Sequence, residues 1–429
     1  NSPFQVTLMK GQIYQYIAAV DASGTGPQLT GTKVKSISNG IGDCKPIAVF
    51  AGSSRTAGEY TACGSAGRDN DFQQCFPEHT WGKRYLTTPF SIASSSSLNA
   101  ASFMTSVYKV AVKDPTTVVK RNGTQLTGLI NGKYYQFSSN TADYIEADKP
   151  IMIGQFMSNA SSCSGGSGQG DPEMIYLSPM EQAIKQVGFY RNTVEAITAN
   201  YVSLTVPTNG LNSLKIDGVS IATSSLPSSG SGNVLYVYNH PNKSGYKVVV
   251  RGWSAAKAQV LMQCDSGFNA ITYGLGGAES YGYSAGAQLN NLNAIAGFHN
   301  TPDTSAINVV HPNAFTQTPV QIGAYVAYKP TKMVWKVSNI GCSNVSPCAD
   351  ITVISPSPID SMVIGSGKYY LYRLPGDYIF SNAGTYYLPI VLTSPNADNG
   401  NCNNEETVSI EIVVKTKPTA SFTYSQTAG

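Results

Sequence analysis

Apolar and polar side chains alternate with period two along most of this chain, the pattern of strands with one face buried and one face wet. Phe4-Gln5-Val6-Thr7-Leu8, Met333-Val334-Trp335-Lys336-Val337 and Val408-Ser409-Ile410-Glu411-Ile412 carry it most clearly. Continuous runs such as Pro46-Ile47-Ala48-Val49-Phe50 and Lys247-Val248-Val249-Val250 predict strands buried on both faces. Asn122-Gly123, Asn131-Gly132, Asp217-Gly218 and Pro375-Gly376-Asp377 punctuate them and supply the positive φ that tight hairpin turns need. Helical spacing is confined to residues 180–187, where Met180, Ala183, Ile184 and Val187 predict a turn or two of helix. The expected class is all-β.

A repeat underlies the alternation. Gly11-Gln12-Ile13-Tyr14-Gln15-Tyr16, Gly31-Thr32-Lys33-Val34 and Lys45-Pro46-Ile47-Ala48-Val49-Phe50 form one copy. Gly132-Lys133-Tyr134-Tyr135-Gln136-Phe137, Asp143-Tyr144-Ile145-Glu146-Ala147 and Lys149-Pro150-Ile151-Met152-Ile153 form the second. With the strand before each (residues 4–8 and 117–120), a copy predicts four short antiparallel strands. Four-stranded units in series suggest propeller blades, and a stack of sandwiches is the rival arrangement. These units occupy residues 1–300. Asn300-Thr301-Pro302-Asp303-Thr304 reads as a linker. Residues 301–416, with Trp335 and the tyrosines Tyr369, Tyr370, Tyr372, Tyr378, Tyr386 and Tyr387, fit an immunoglobulin-like sandwich. Residues 417–429 read as the first strand of a further module. With no signal peptide at the start, both ends are expected to be boundaries within a longer polypeptide.

Composition narrows the class. The 429 residues include 28 Lys+Arg and 25 Asp+Glu, a net charge of +3, and 12% are charged. That is half of the ~25% usual in soluble domains. Such a balance provides no basic stripe for nucleic acid. No window approaches the ~20 apolar residues of a membrane-spanning helix, so membrane insertion is not expected. An apolar content of 41% argues against disorder. What remains is an extracellular or cell-surface protein rich in Ser, Thr, Gly, Asn and Tyr. The 8 cysteines form no Cys-x-x-Cys pair and read as disulfides of an oxidising compartment. Cys63/Cys75 and Cys342/Cys348 each bracket a short loop and are expected to be local staples, with Cys402 a competing partner for Cys342 or Cys348.

Several residues carry candidate chemistry. Asp69-Asn70-Asp71 places oxygen donors at alternate positions inside the Cys63/Cys75 loop, a pattern that suits Ca2+, although an Asp-rich turn explains it as well. Asp398-Asn399 with Glu405 and Glu406 is a second such set. For hydrolysis of polysaccharide, Asp171, Glu173 and Glu279 are the best-placed carboxylates. A glycosidase needs two of them ~5–9.5 Å apart, one with a raised pKa. Their plainer reading is turn and strand-end positions, and no catalytic residue is assigned. The four histidines lie in Pro/Asn-rich turns, and no Gly-x-Ser-x-Gly elbow follows a strand. Tyr134, Tyr135, Tyr281 and Tyr283 suit a sugar or protein surface, with core packing the default for each.

The stretches Gln28-Leu29-Thr30-Gly31-Thr32, Lys45-Pro46-Ile47-Ala48-Val49-Phe50-Ala51-Gly52, Gln74-Cys75-Phe76-Pro77 and Thr80-Trp81-Gly82-Lys83 resemble the N-terminal domain of the IgGFc-binding protein family. Asp171-Pro172-Glu173-Met174, Ser178-Pro179-Met180-Glu181-Gln182, Gly267-Phe268-Asn269-Ala270-Ile271, Tyr273-Gly274-Leu275-Gly276 and Glu279-Ser280-Tyr281-Gly282-Tyr283 continue the resemblance in order, in the version found in large Bacteroidetes surface proteins. The opening Lys417-Pro418-Thr419-Ala420-Ser421-Phe422-Thr423-Tyr424 resembles the start of a PKD repeat. The resemblance implies an exported protein, a type IX secretion substrate when full length, and implies no catalysis. Asp360-Ser361-Met362 resembles the Bacteroidetes O-glycosylation acceptor, which would put a sugar on Ser361. Binding of IgG is not expected.

The reading that follows is a non-enzymatic structural or adhesion protein. It presents β surfaces to identical copies in a filament, or to surface glycans and proteins of other cells. Phe4, Val6 and Leu8 are the candidate interface, as a strand free to pair with an unpaired edge of another chain. A polysaccharide-active enzyme and a passive spacer for a distal binding module are the alternatives.

Overall fold

The computed structural model describes residues 3–22, 26–37, 47–56, 69–94, 97–158, 169–192, 194–223, 229–230, 232–254, 259–287, 294–303, 311, 313–364, 367–395 and 405–418. Among these the regular elements are strands and short 3-10 turns, so the chain is all-β. Residues 180–187 do not form the expected helix. Met180–Gln182 is a single 3-10 turn between Pro179 and Ala183, both extended, and Ile184–Tyr190 runs on as a strand.

The two copies of the repeat fold differently. In the first, residues 4–8 and 12–16 join no ladder among the described residues. A turn at Met9 and Gln12, closed by Gln12 N–H on Met9 O at 3.0 Å, brings Phe4 to 6.3 Å from Tyr14 and 5.8 Å from Tyr16, centroid to centroid. Ile47 and Phe50, expected to be buried on both faces, are about half exposed. Phe50 opens β1 (Phe50–Thr56), which among the described residues pairs only with β2 (Asp69–Gln74). The second copy is interior. Its strands belong to a seven-stranded sheet built from β3 (Gly82–Leu86), β4 (Ser106–Val112), β5 (Val119–Arg121), β6 (Tyr134–Ser139), β7 (Tyr144–Met157), β8 (Glu173–Tyr176) and the short Thr124–Gln125. The long β7 pairs with β3, β4, β5 and β8.

A second, eight-stranded sheet contains β9 (Ile184–Tyr190), β10 (Ile197–Pro207), β11 (Asn233–Asn239), β12 (Tyr246–Trp253), β13 (Gln259–Gly276), β14 (Glu279–Ser284) and the short pair Lys215–Ile216 and Val219–Ser220. Period-two alternation sends the two faces of β10 into two cores. Tyr201 joins Tyr108, Ile153 and Tyr273, whereas Val202, Leu204 and Val206 join Val249, Met262 and Phe268. Burial of β10 on both faces explains its near-continuous run of buried positions. Tyrosine serves here as a core residue: Tyr201 and Tyr273 stack at 5.2 Å, and the Tyr273 hydroxyl accepts from Ser91 N–H at 2.7 Å. Of the two arrangements left open by the sequence, these large sheets packed through a shared core correspond to stacked sheets, and among the described residues of the N-terminal part no four-stranded propeller blade is formed.

The C-terminal strands make a sandwich. One sheet runs β15 (Ala294–Asn300), β16 (Val320–Val326), β20 (Gly367–Arg373), β19 (Asp360–Ile364). The other runs Ala314–Phe315, β22 (Glu405–Lys415), β21 (Gly384–Thr393), β17 (Lys332–Trp335), β18 (Ile351–Ile354). Both enclose Trp335, which is fully buried with Ile322, Tyr372, Ile390 and Ile410. Because β15 pairs with β16, residues on the N-terminal side of the division expected at 301 belong to this sandwich. Residues 419–429, most of the expected PKD-like start, lie outside the described residues.

Candidate functional site

The carboxylates singled out in two separate expectations come together at one corner, where β2, β8 and the β13–β14 turn meet. Asp69 and Asp71 lie two apart on β2 and so share a face; they sit in a strand, where the sequence suggested a loop. Asp171 and Glu173 lead into β8, and Glu279 opens β14. Polar contacts tie the three elements: Gln73 Nε2 donates to Gly282 O at 3.0 Å, and Ser280 Oγ donates to Asp171 O at 2.9 Å. Gly282 allows the close approach, since a Cβ there would stand 2.6 Å from Ile175 Cδ1 and 3.1 Å from Glu173 Cγ.

Burial and mutual repulsion keep protons on this corner. Burial first, and then the charges of Asp69 and Glu279, push Asp171 up to about 6. Glu173 is pushed up to about 8 by burial, reinforced by Asp71 and Asp69, although Met174 N–H donates to its Oε1 at 2.9 Å. Near neutrality Glu173 is therefore mostly protonated, the state of a potential proton donor. Among the described residues, no three His, Cys, Asp or Glu side chains are grouped as a metal ion would require. Of the second Ca2+ set, Glu405 pairs with Lys332 at 2.6 Å and Glu406 is buried as acceptor of the Tyr328 hydroxyl, while Asp398 and Asn399 lie outside the described residues.

The other expectations separate. Cys342 and Cys348 are bridged across 5.3 Å, Cα to Cα. Cys75 carries a free thiol 3.8 Å from the Tyr176 hydroxyl, in place of the expected bridge to Cys63, which lies outside the described residues. Cys264 is also a free thiol, buried with Sγ on Gly210 O. Ser361 is exposed on β19. Tyr134 and Tyr135 are buried, whereas Tyr281 and Tyr283 are half-buried, Tyr281 donating to Asn200 at 2.5 Å.

Phe4, Val6 and Leu8 are exposed, at 61%, 45% and 45%. They begin a longer apolar surface that the sequence did not reveal. Met9, Ile13, Ile17, Val20, Val34 and Ile37 are all at least 60% exposed. Their periodicity matched buried strands, so alternation alone gave the wrong environment. The segment is held to the seven-stranded sheet near Gln28, which accepts from Lys109 Nζ at 2.7 Å. Gly31, at φ +85°, fits closely against Lys133.

Two solved structures show how little global similarity accompanies these features. The C-terminal domain of the Streptococcus pyogenes antigen I/II-family protein AspA is 8% identical, over 53% of this chain and 99% of that one, with a TM-score of 0.13. The C-terminal domain of the Streptococcus agalactiae AgI/II polypeptide BspA is 9% identical, over 62% of this chain and 92% of that one, with a TM-score of 0.15. Neither superposition is good enough to equate the folds. No curated protein matches the chain. The model of the IgGFc binding protein family, by contrast, matches residues 1–274, and the chain belongs to that family.

Proposed function

We propose that this chain is a non-enzymatic, extracellular surface protein that acts by presenting apolar β surface to other copies of itself. The observation that carries the reading is the concentration of exposed large apolar side chains in residues 4–37. Monomeric soluble proteins rarely leave contiguous apolar surface of this kind uncovered, and it usually marks an interaction site. A low charge density supports the same reading, because copies repel one another weakly. The Cys342–Cys348 bridge supports an oxidising compartment. IgG is not expected among the partners. Light scattering during size exclusion tests the reading. The chain is expected to show a mass that rises with loading concentration, and Ile13→Lys with Ile17→Lys is expected to return it to a monomer of unchanged melting temperature. A monomer at all concentrations refutes self-association.

The acidic corner favours a second reading, an enzyme acting on polysaccharide with Glu173 as proton donor. Screening glycans for cleavage, with Glu173→Gln beside the unchanged chain, separates the two. The surface-protein reading predicts no turnover by either, and turnover abolished by the substitution would establish the enzyme.

A further inference from the structure

Two arginines lie at one end of the core enclosed by the eight-stranded sheet. Residues directly opposite one another on neighbouring strands share a face. Register sets Trp253, Asn200, Gly274 and Tyr281 in one row across β12, β10, β13 and β14. The next row holds Arg251, Val202, Thr272 and Tyr283, and the third is the apolar Val249, Leu204 and Ala270. The face thus turns from hydrocarbon to polar groups within three rows. A Cβ at Gly274 would stand 2.2 Å from Tyr281 Cε1, so the tyrosine ring lies across the glycine, and its hydroxyl donates to Asn200 Oδ1 at 2.5 Å.

Both guanidinium groups meet the same indole. Arg191, which follows β9, lies 4.4 Å from the centre of the Trp253 ring, and Arg251 lies 4.7 Å from it. They are 1% and 8% exposed. Taking a cation out of water is costly unless an anion meets it. Arg251 Nη1 donates to the carbonyls of Val234 and Gly252, at 3.1 and 2.6 Å. Among the described residues no carboxylate forms an ion pair with Arg251, and its Nε and Nη2 meet no protein acceptor. That edge of the guanidinium is the one that grips a carboxylate with two parallel hydrogen bonds. Asp217 is the acid whose charge acts on both arginines, yet its Oδ1 accepts from Leu261 N–H at 3.0 Å. On Arg251 it is outweighed: burial, and then the like charge of Arg191, bring that group down to about 10. Glu279, on the same face of β14 as Tyr281, is exposed at the start of the strand.

We infer that Arg251, backed by Arg191 and Trp253, binds the carboxylate of an acidic sugar. The carboxylate supplies the negative charge that the buried arginines lack. Stacking on Trp253 holds the Arg251 guanidinium plane, so its open edge is fixed before the ligand arrives. Tyrosine favours a sugar over other carboxylates. Tyr281 and Tyr283 are half-buried beside the arginines, and Tyr190, whose N–H donates to the Tyr283 hydroxyl at 3.0 Å, is 55% exposed. Aromatic rings next to hydroxyl and amide groups suit the C–H face and the hydroxyls of a pyranose. An acidic peptide is the rival ligand. The site does not depend on self-association through residues 4–37.

Isothermal titration of the full chain with trigalacturonate, maltotriose and triglutamate tests the assignment. Trigalacturonate is expected to bind saturably, with an affinity that falls as salt rises, and the uncharged maltotriose is expected not to bind. Arg251→Lys keeps the charge and loses the two-pronged edge, and is expected to weaken trigalacturonate about tenfold. Because a change at a buried arginine can disturb folding, Tyr190→Ser at the exposed ring is the second variant. It is expected to weaken trigalacturonate at an unchanged melting temperature. No binding of trigalacturonate by the unchanged chain, or binding equally tight in both variants, overturns the site. Triglutamate bound as tightly as trigalacturonate overturns the choice of a sugar.

Discussion

At the scale of single residues, Glu173 is the most informative group. It illustrates why proximity was invisible in the sequence while the chemistry was not. The sequence offered Asp69 and Asp71 as Ca2+ ligands and Asp171, Glu173 and Glu279 as candidate carboxylates, yet about 100 positions separate the first from the third, and only the packing of three separate sheets brings β2, β8 and β14 to one corner. The consequence for stability has a definite sign. In the folded chain Glu173 holds its proton up to about pH 8, whereas an unfolded Glu releases it near 4.5. Between those values the folded state binds more protons than the unfolded state, so stability falls as pH rises through the window. Glu173→Gln keeps the side-chain shape and cannot ionise. Urea titrations at pH 5 and pH 8.5 should show the unchanged chain losing on the order of 4 kcal/mol more than the variant. Equal losses would mean that the carboxyl titrates as it does in water. Turn residues, by contrast, were fully legible. Asn122-Gly123, Asn131-Gly132 and Asp217-Gly218 all adopt positive φ at both positions, as a tight hairpin turn demands.

At the scale of elements, alternation located strands well and their surroundings poorly. Residues 134–137 and 12–16 carry nearly the same pattern. In the first, Tyr134 and Tyr135 are buried beside β4; in the second, Tyr14 and Tyr16 are about half exposed. The difference lies in the neighbours, which a single sequence does not display. Residues 180–187 failed for a related reason. Ile184 and Val187 sit at helical spacing, but pairing of β9 with β13 at Phe268 and Met262 outweighs so short a helix. Cysteine spacing succeeded at Cys342 and Cys348, where the chain between them is short enough for the bridge to form locally. Opening that loop with Cys342→Ser should cost about 2 kcal/mol by the loop-entropy relation. Chemical denaturation followed through Trp335, which lies in the same sandwich, checks it. A variant as stable as the unchanged chain would mean that the 3-10 turn Val337–Ile340 and its packing hold the loop without the bridge.

At the scale of the whole molecule, the sheets have buried cores, and the longest run of exposed apolar side chains is the N-terminal stretch. Smaller exposed groups are Phe50 and Phe72 on β1–β2, Tyr190, Val194, Val219 and Leu261 in and beside the eight-stranded sheet, and Ile354, Ile359, Met362 and Val363 on the β18–β19 side of the sandwich. The all-β class followed from the alternation, and the family was anticipated from sequence motifs. The exposure of the N-terminal stretch was not, because periodicity reports which side chains share a face and is silent on what that face meets. A long exposed apolar stretch is suited to association of like copies. Backbone hydrogen exchange measured against protein concentration tests this directly. In dilute solution the amides of residues 4–17 should exchange at nearly the rate of an unstructured peptide, since no ladder protects them among the described residues. At high concentration, residues 4–8 should gain protection, with a midpoint that matches the rise in mass seen by light scattering. Protection of residues 4–8 that is already complete in dilute solution, or that never changes with concentration, would contradict assembly through this segment.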